Sequence, residues 1–354
     1  MDFELAAGEQ EAAGAVGSLL AAEADAIARL PALGLAARRR LVCAAQRALP
    51  GAVEAAVAPR LALARASVPL LLACEATRHL RMLIGAGGLP EQERAALIRG
   101  DRIGAVALAD AAGAPRAQLR RTSEGWRLSA RKAFVTGGPM ADWLAVLADC
   151  DGREVVCLVS PRDAGVSTGE PIELLGLDGL AVGSLAIEEA PVPGARVLEG
   201  APGASPGARY AREADLSLAI AAAGLMRGVL GAANRHAHAH TRDGRPVFSR
   251  QEVAFALAEA LALTEAAELL CHRAAWTLRT GEPGAERLVR CAKVFCSESA
   301  ERVASLSLQV MAGEGYRRGS AAERAYRDAK GLALAGTTVV VARMAIADSL
   351  LSRT

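Results

Sequence analysis

Three histidines at alternate positions, His236-Ala-His238-Ala-His240, are the densest group of metal-capable side chains in this sequence of 354 residues. On a helix, residues two apart face different sides, so only His236 and His240, four apart, converge. No Glu follows the first His as in a His-Glu-x-x-His zinc site, and no metal is expected. Glu213 and Asp215 stand at the head of the apolar run 216–226 and offer carboxylates for proton transfer. The plainer reading makes them solvated first-turn acids favoured by the helix dipole. Seven cysteines are scattered, odd in number and never spaced Cys-x-x-Cys, which fits reduced thiols better than disulfides or zinc. Neither Gly-x-Ser-x-Gly nor a P-loop occurs, so hydrolase and nucleotide-triphosphatase chemistry has no support.

The elements that must position these residues follow from composition and period. Apolar residues are 52% of the chain but aromatics only 3%, so the apolar mass is Ala, Leu and Val, suited to close helix packing. With 41 basic and 39 acidic residues, the chain lacks the basic excess of a nucleic-acid binder. The start, Met-Asp-Phe-Glu-Leu, has no basic n-region, and the longest apolar stretch, Leu216–Met226, is about half a membrane span. A cytoplasmic protein with no membrane contact is expected.

Residues 3–100 carry Ala, Leu, Glu and Arg at helical spacing, cut by Pro31, Pro50, Pro59, Pro69 and Pro90 into short helices. From Ile103 the period changes to short alternating runs at 103–108, 126–128, 134–136, 143–147, 154–159 and 184–187, separated by turn formers. That pattern predicts a small antiparallel β domain. Residues 199–208 read as a linker. Long helices are then expected at about 211–241, 248–280, 284–312 and 321–352, a four-helix bundle. The fold class is α+β: an N-terminal helical domain (1–102), a middle antiparallel β domain (103–200) and a C-terminal four-helix bundle (201–354).

That order, with five local motifs, resembles the acyl-CoA dehydrogenase family over nearly the whole chain. The motifs are Gly88-Leu-Pro-Glu-Gln-Glu running on to Arg99-Gly-Asp-Arg-Ile-Gly104; Phe134-Val-Thr-Gly137 in place of Trp-Ile-Thr-Asn; Gly176 with Ser184-Leu-Ala-Ile-Glu-Glu-Ala-Pro-Val-Pro193; Gln309-Val-Met-Ala-Gly-Glu-Gly-Tyr316, similar to Gln-x-x-Gly-Gly-x-Gly-Phe/Tyr; and Arg327-Asp-Ala-Lys330 followed by Gly336-Thr337. The resemblance implies FAD bound between subunits, hence a homodimer or homotetramer, or a hetero-oligomer with a homologue. It implies Phe134 and Thr136 beside the isoalloxazine ring and Arg242 at the pyrophosphate, although the Phe-Gly that follows this Arg in the family is missing. It places Gln309 and Gly313 against a neighbour's flavin and Thr337 near the cofactor. An aromatic face, a hydroxyl and a guanidinium fork suit those tasks. A helix C-cap is the plainer role for Gly313.

The resemblance also exposes a gap. Most members carry their catalytic Glu immediately before the Gly-Thr of the tail, where this chain has Ala335. Others carry it on the first bundle helix, at a position that falls on Ala214 between Glu213 and Asp215, so Glu213 is the candidate base. The family's Thr-Glu-Pro-x-Ala-Gly-Ser-Asp motif is degraded to Ala109-Asp-Ala-Ala-Gly-Ala-Pro-Arg116. The activity implied is FAD-dependent α,β-dehydrogenation of an acyl thioester carried by CoA or an acyl-carrier protein. The alternatives are a flavin-dependent monooxygenase on this fold and a non-catalytic subunit paired with an active homologue.

Overall fold

The computed structural model describes residues 7–49, 56–200 and 205–351. The break expected at Pro50 and residues 201–204 of the expected linker lie outside the described residues, while Glu199 ends a strand and residues 206–208 begin a helix. Six helices come first: α1 Ala7–Ala22, α2 Ala24–Ala28, α3 Leu35–Ala48, α4 Val57–Ala66, α5 Val68–Ile84 and α6 Glu91–Ile98. Pro59 and Pro69 each fall in the first turn of a new short helix (α4 and α5), where a missing amide hydrogen leaves no bond unmade, so the stretch is cut just before them. Ser67 caps α5 by accepting from Leu70 N.

The middle layer is an eight-stranded sheet: β1 Gly104–Ala107, β2 Gln118–Thr122, β3 Gly125–Thr136, β4 Trp143–Cys150, β5 Arg153–Val159, β6 Val166–Thr168, β7 Val182–Val192 and β8 Val197–Glu199. The spatial order is β6-β7-β3-β2-β4-β5-β8, with β1 also on β4. The expected purely antiparallel sheet is corrected here, since β1 and β2 both run parallel to β4. The runs at 126–128 and 134–136 are one strand, β3, interrupted by irregularities against β7, the second between Lys132 and Val135. Lys132, buried inside the sheet, ties the following layer to the segment 108–110: its ammonium donates to Leu108 O and Leu147 O and pairs with Asp110 at 2.8 Å.

The bundle follows as α7 Pro206–Ala239, α8 Gln251–Thr280, α9 Ala285–Tyr316, α10 Ala321–Leu334 and α11 Val339–Leu351, with a small hairpin, β9 Thr241–Arg242 and β10 Arg245–Pro246, after α7. The expected helix over 321–352 is broken in two at Gly336, which holds φ +64°. α7 is the core helix, buried continuously from Ala214 to Met226. By length and composition it alone passes for a membrane span among the described helices, yet 78% of its most apolar window is buried inside the molecule. α8 runs antiparallel to it: Arg227 of α7 pairs with Glu265 and Glu268. α9 returns parallel, since the field of Lys293 acts on Asp215 and that of Glu314 on His236.

Candidate active site

Two elements reach α5 and α7 from different sides. From one side comes the end of β3. Phe134 sits at the strand irregularity with φ +53° and its ring 65% exposed, and Thr136 pairs with Val182 of β7. The next residue, Gly137, also has a positive φ (+77°), and a Cβ there would lie 3.5 Å from Ala76 of α5. From the other side comes the chain between α10 and α11. Thr337 N donates to Asp215 Oδ1 at 3.1 Å, and Gly336 is pressed so close that a Cβ would meet Leu218 Cδ1 at 2.7 Å.

Asp215 and Glu213 are not the solvated first-turn acids of the plainer reading. α7 starts at Pro206, well before them, and Asp215 is only 2% exposed. Burial raises the pKa of Asp215, opposed by its bonds to Thr337 and by the field of Lys293. Lys293, wholly buried, donates to Leu332 O, and burial lowers its pKa to about 8. Glu213 lies 19% exposed on the opposite face of α7, where its Oε2 accepts from Arg78 Nη1 at 3.1 Å. Ala335 itself brings no carboxylate, and the acid bonded to the tail is Asp215.

Behind Glu213 lies a set of groups that sequence reasoning missed. Arg60 donates to both oxygens of Glu75 (2.9 and 2.8 Å) and to Ser217 Oγ at 2.9 Å. Arg78 donates to Glu75 at 2.7 Å and to Ser217 at 3.0 Å. Ser217 donates to Glu75 at 2.6 Å, and His79 Nε2 lies 3.0 Å from Ser217 Oγ. Burial works against the charge on Glu75, but Arg60 and Arg78 outweigh it and hold the carboxyl well below its usual range. Burial and Arg78 push His79 down to about 3, so it is neutral. The signal in the sequence was a run of polar residues, Glu75, Thr77, Arg78, His79 and Arg81, inside a helix whose first half is apolar.

The remaining expected cofactor residues lie elsewhere. Arg242 is on the exposed hairpin after α7, and its guanidinium has no hydrogen-bond or ion-pair partner among the described residues. Gln309 and Gly313 are exposed near the end of α9. Gly313 is not a helix C-cap, because α9 continues to Tyr316; the kink falls on Ala312, at φ +48° and ψ −131°. Glu314 reaches the surroundings of His236 on α7. At 1.5 Å per residue that point is about 32 Å along the helix from Asp215. Thr337 thus belongs to one end of α7 and Arg242, Gln309 and Gly313 to the other, while Phe134 and Thr136 stand at the end of β3, which Gly137 brings against α5.

The histidines form no metal site. His236 and His240 stack at 5.0 Å, His238 stacks on Phe248 at 4.3 Å, and no metal-capable cluster occurs among the described residues. Arg327 and Asp328 act as a clasp: Arg327 donates to Leu175 O and Asp178, and Asp328 accepts from Leu177 N at 2.5 Å.

The residues fit a flavin. An exposed aromatic at the end of β3 offers a stacking face, and an unpaired Arg with exposed backbone at Gly313 offers donors for a pyrophosphate. The comparisons with known proteins agree. Residues 212–351 match the model of the acyl-CoA dehydrogenase C-terminal domain. The chain is similar to a 3-(aryl)acrylate reductase of Clostridium sporogenes, 29% identical over 76% of this chain and 74% of that protein. It superposes on butyryl-CoA dehydrogenase of Megasphaera elsdenii with a TM-score of 0.88 at 21% identity, covering 99% of this chain and all of that one. It superposes on a chain of the ChsE4-ChsE5 complex of Mycobacterium tuberculosis with a TM-score of 0.83 at 25% identity, covering both chains fully. The chain is a member of the acyl-CoA dehydrogenase family, a FAD-dependent oxidoreductase of acyl thioesters with an alanine in the family's usual place for the catalytic glutamate.

Proposed function

We propose that the chain carries out α,β-oxidoreduction of an acyl-CoA with Glu213 as its proton-handling carboxylate, and that its flavin is shared between subunits. The observation that carries this reading is the state of the two acids of α7: Glu213 is 19% exposed beside Arg78, whereas Asp215, on the opposite face, is buried and bonded to the tail through Thr337. Asp215 is held by Thr337 and sealed from solvent, so the carboxylate left with access is Glu213. The flavin supplies the hydride acceptor. Phe134 covers the ring, and Thr136 and Thr337 offer hydroxyls and amides to its polar edge. Glu213 must leave Arg78 to take the α-proton, and Arg78 then remains beside Glu75.

CoA is favoured over an acyl-carrier protein by a cavity of about 530 Å³ between the start of α7, the α8–α9 turn and α11. Arg212, Arg287 and Arg290 line it, and Arg212 Nε is buried with no hydrogen-bond partner. Guanidinium groups at the N-terminus of the long helix α9 suit phosphate. Sharing of the flavin follows from the separation along α7, since one ribityl arm cannot span both groups of residues.

Adding acyl-CoA to the FAD-loaded protein without oxygen tests the reading. Bleaching of the flavin band is expected, with a loss of about 10²-fold or more in its rate for Glu213→Gln. Unchanged bleaching in that variant rejects Glu213. A second reading, a subunit whose site is completed by a homologous partner, is favoured by Ala335 and by the ion pair that occupies Glu213. It expects no bleaching by this chain alone and bleaching when the partner is added.

A further inference from the structure

We propose that the cavity of about 410 Å³ between α1 and α2, the α4–α5 junction, α7 and the start of α10 is a separate ligand site, built for a small organic anion with an aliphatic body. Its α7 wall runs from Leu225 to Arg235, about 15 to 30 Å along the helix from Asp215. The site therefore stands whichever group handles the proton. Three guanidinium groups line it: Arg65 from the end of α4, Arg235 from α7 and Arg324 from the first turn of α10. None of the three makes a hydrogen bond or ion pair with a described residue. Other arginines on the same two helices are paired, Arg227 with Glu265 and Glu268, and Arg327 with Asp178 and Glu323. Arg235 instead lies back along α7, its Nη1 3.5 Å from where a Cβ on Gly231 would stand.

The acids of the cavity do not balance this charge. Asp178 is taken by Arg327 at 2.7 Å, and Asp328 accepts from Leu177 N and meets Arg324 only through its field. Set against Arg327 and Arg324 in turn, these two acids leave Arg65 and Arg235 without a counter-charge. Two helix N-termini strengthen the field, since Val68 and Pro69 open α5 and Ala321 opens α10 on the same cavity. A positive concavity of this kind draws an anion, and a guanidinium fork fits a carboxylate. The remaining walls are aliphatic, with Leu20, Ile27 and Leu30 facing Leu225 and Val229, and no aromatic ring is among the described lining residues. A nucleobase would find no stacking face there, whereas a short alkyl body would bury apolar surface. The walls are fixed before any ligand arrives. A Cβ on Gly228 would lie 2.6 Å from Arg65 O, so α4 rests directly on α7, and a Cβ on Gly179 would lie 2.7 Å from Leu30 Cγ.

Calorimetry on the full-length FAD-loaded protein tests this with sodium hexanoate, hexanamide and inorganic phosphate as probes. Hexanoate is expected to bind at least about fivefold more tightly than hexanamide, which lacks the charge, or phosphate, which lacks the alkyl body. Arg65→Gln with Arg235→Gln changes two exposed side chains, so the fold is kept, and should weaken hexanoate by about tenfold. Ala232→Trp fills the cavity with the guanidinium groups in place and should abolish binding. Hexanoate binding that is unchanged in both variants puts the acid in another site and overturns the proposal. Binding lost in the arginine variant but kept in Ala232→Trp reduces the effect to surface charge and also overturns it. So does a wild type that binds no hexanoate, or one that binds hexanamide or phosphate equally well.

Discussion

Asp328, the acid of the Arg-Asp pair in the tail motif, holds a loop and does no chemistry. Its carboxyl accepts from Leu177 N, and burial pushes its pKa up to about 6, from 3.8, against the pull of Arg327. A carboxyl raised on folding contributes stability that is full below the unfolded value and lost as pH climbs through the folded one. The window is therefore about pH 4 to 6. Asp328→Asn keeps an acceptor for Leu177 and removes the titration, so relative to wild type it should gain stability from pH 4 to 7 and then level off. Urea unfolding at pH 5 and 7.5 checks this, and an identical difference at both values would count against a buried titration. Ala312 makes a second residue-scale case. It holds φ +48° and ψ −131° in the kink of α9, a region open to glycine and strained for any side chain. Ala312→Gly should stabilise by about 1 kcal/mol after the entropy lost by the unfolded chain, or roughly 2–4 °C in Tm. The motif spacing already placed an alanine where the family has its first glycine, but the strain that follows was not legible until the kink was seen. Glu213 was legible as a candidate; its partner Arg78, 135 positions away, was not.

At the scale of elements, periodicity found the long helices and the central strands because their apolar faces are continuous. It missed β2, β6 and β8, which are short, lie partly in solvent and carry sequences such as Gln-Leu-Arg-Arg-Thr. It also missed the parallel pairing of β1 with β4, a contact between segments about forty residues apart that no local pattern encodes. The break between α10 and α11 escaped for a related reason. Val339–Leu351 is mostly apolar, so its pattern runs on from α10 without a proline to stop it. What stops it is tertiary: Gly336 turns at positive φ against Leu218, and Asp215 takes the amide of Thr337. Gly336→Ala should therefore destabilise by about 1–3 kcal/mol, since the new methyl meets Leu218 Cδ1 at 2.7 Å and Asp215 Oδ1 at 3.2 Å in a conformation that alanine resists. Because the same shift lifts Thr337 from Asp215, flavin retention after gel filtration should fall along with Tm. A variant with lower Tm but full flavin would show that the tail does not touch the cofactor.

At the scale of the whole molecule, the order of the three layers was the most legible feature, since each changes the hydrophobic period. The distribution of the cofactor residues was not, because α7 separates them by a distance no sequence spacing shows. Thr337 stands at Asp215, while Arg242, Gln309 and Gly313 stand about 32 Å along the helix. On the proposed reading, one flavin served by Thr337 and by the residues at the far end of α7 takes two chains. The surface is built for such contact. Phe255 and Leu269 of α8 are 63% and 52% exposed, and Ala258, Ala262 and Ala266 lie between them at helical spacing. Val340, Val341 and Met344 leave α11 similarly uncovered. An apolar stripe of this length on a long helix is unfavourable in water unless another surface covers it. Phe255→Glu with Leu269→Glu puts two charges on that stripe without touching any buried side chain, so the fold should survive while assembly fails. Light scattering should then report a monomer where the wild type is a dimer or larger, and the flavin should be lost with the partner. If the variant is monomeric yet keeps its flavin in full, the flavin is held within one chain, and Arg242, Gln309 and Gly313 have no part in binding it.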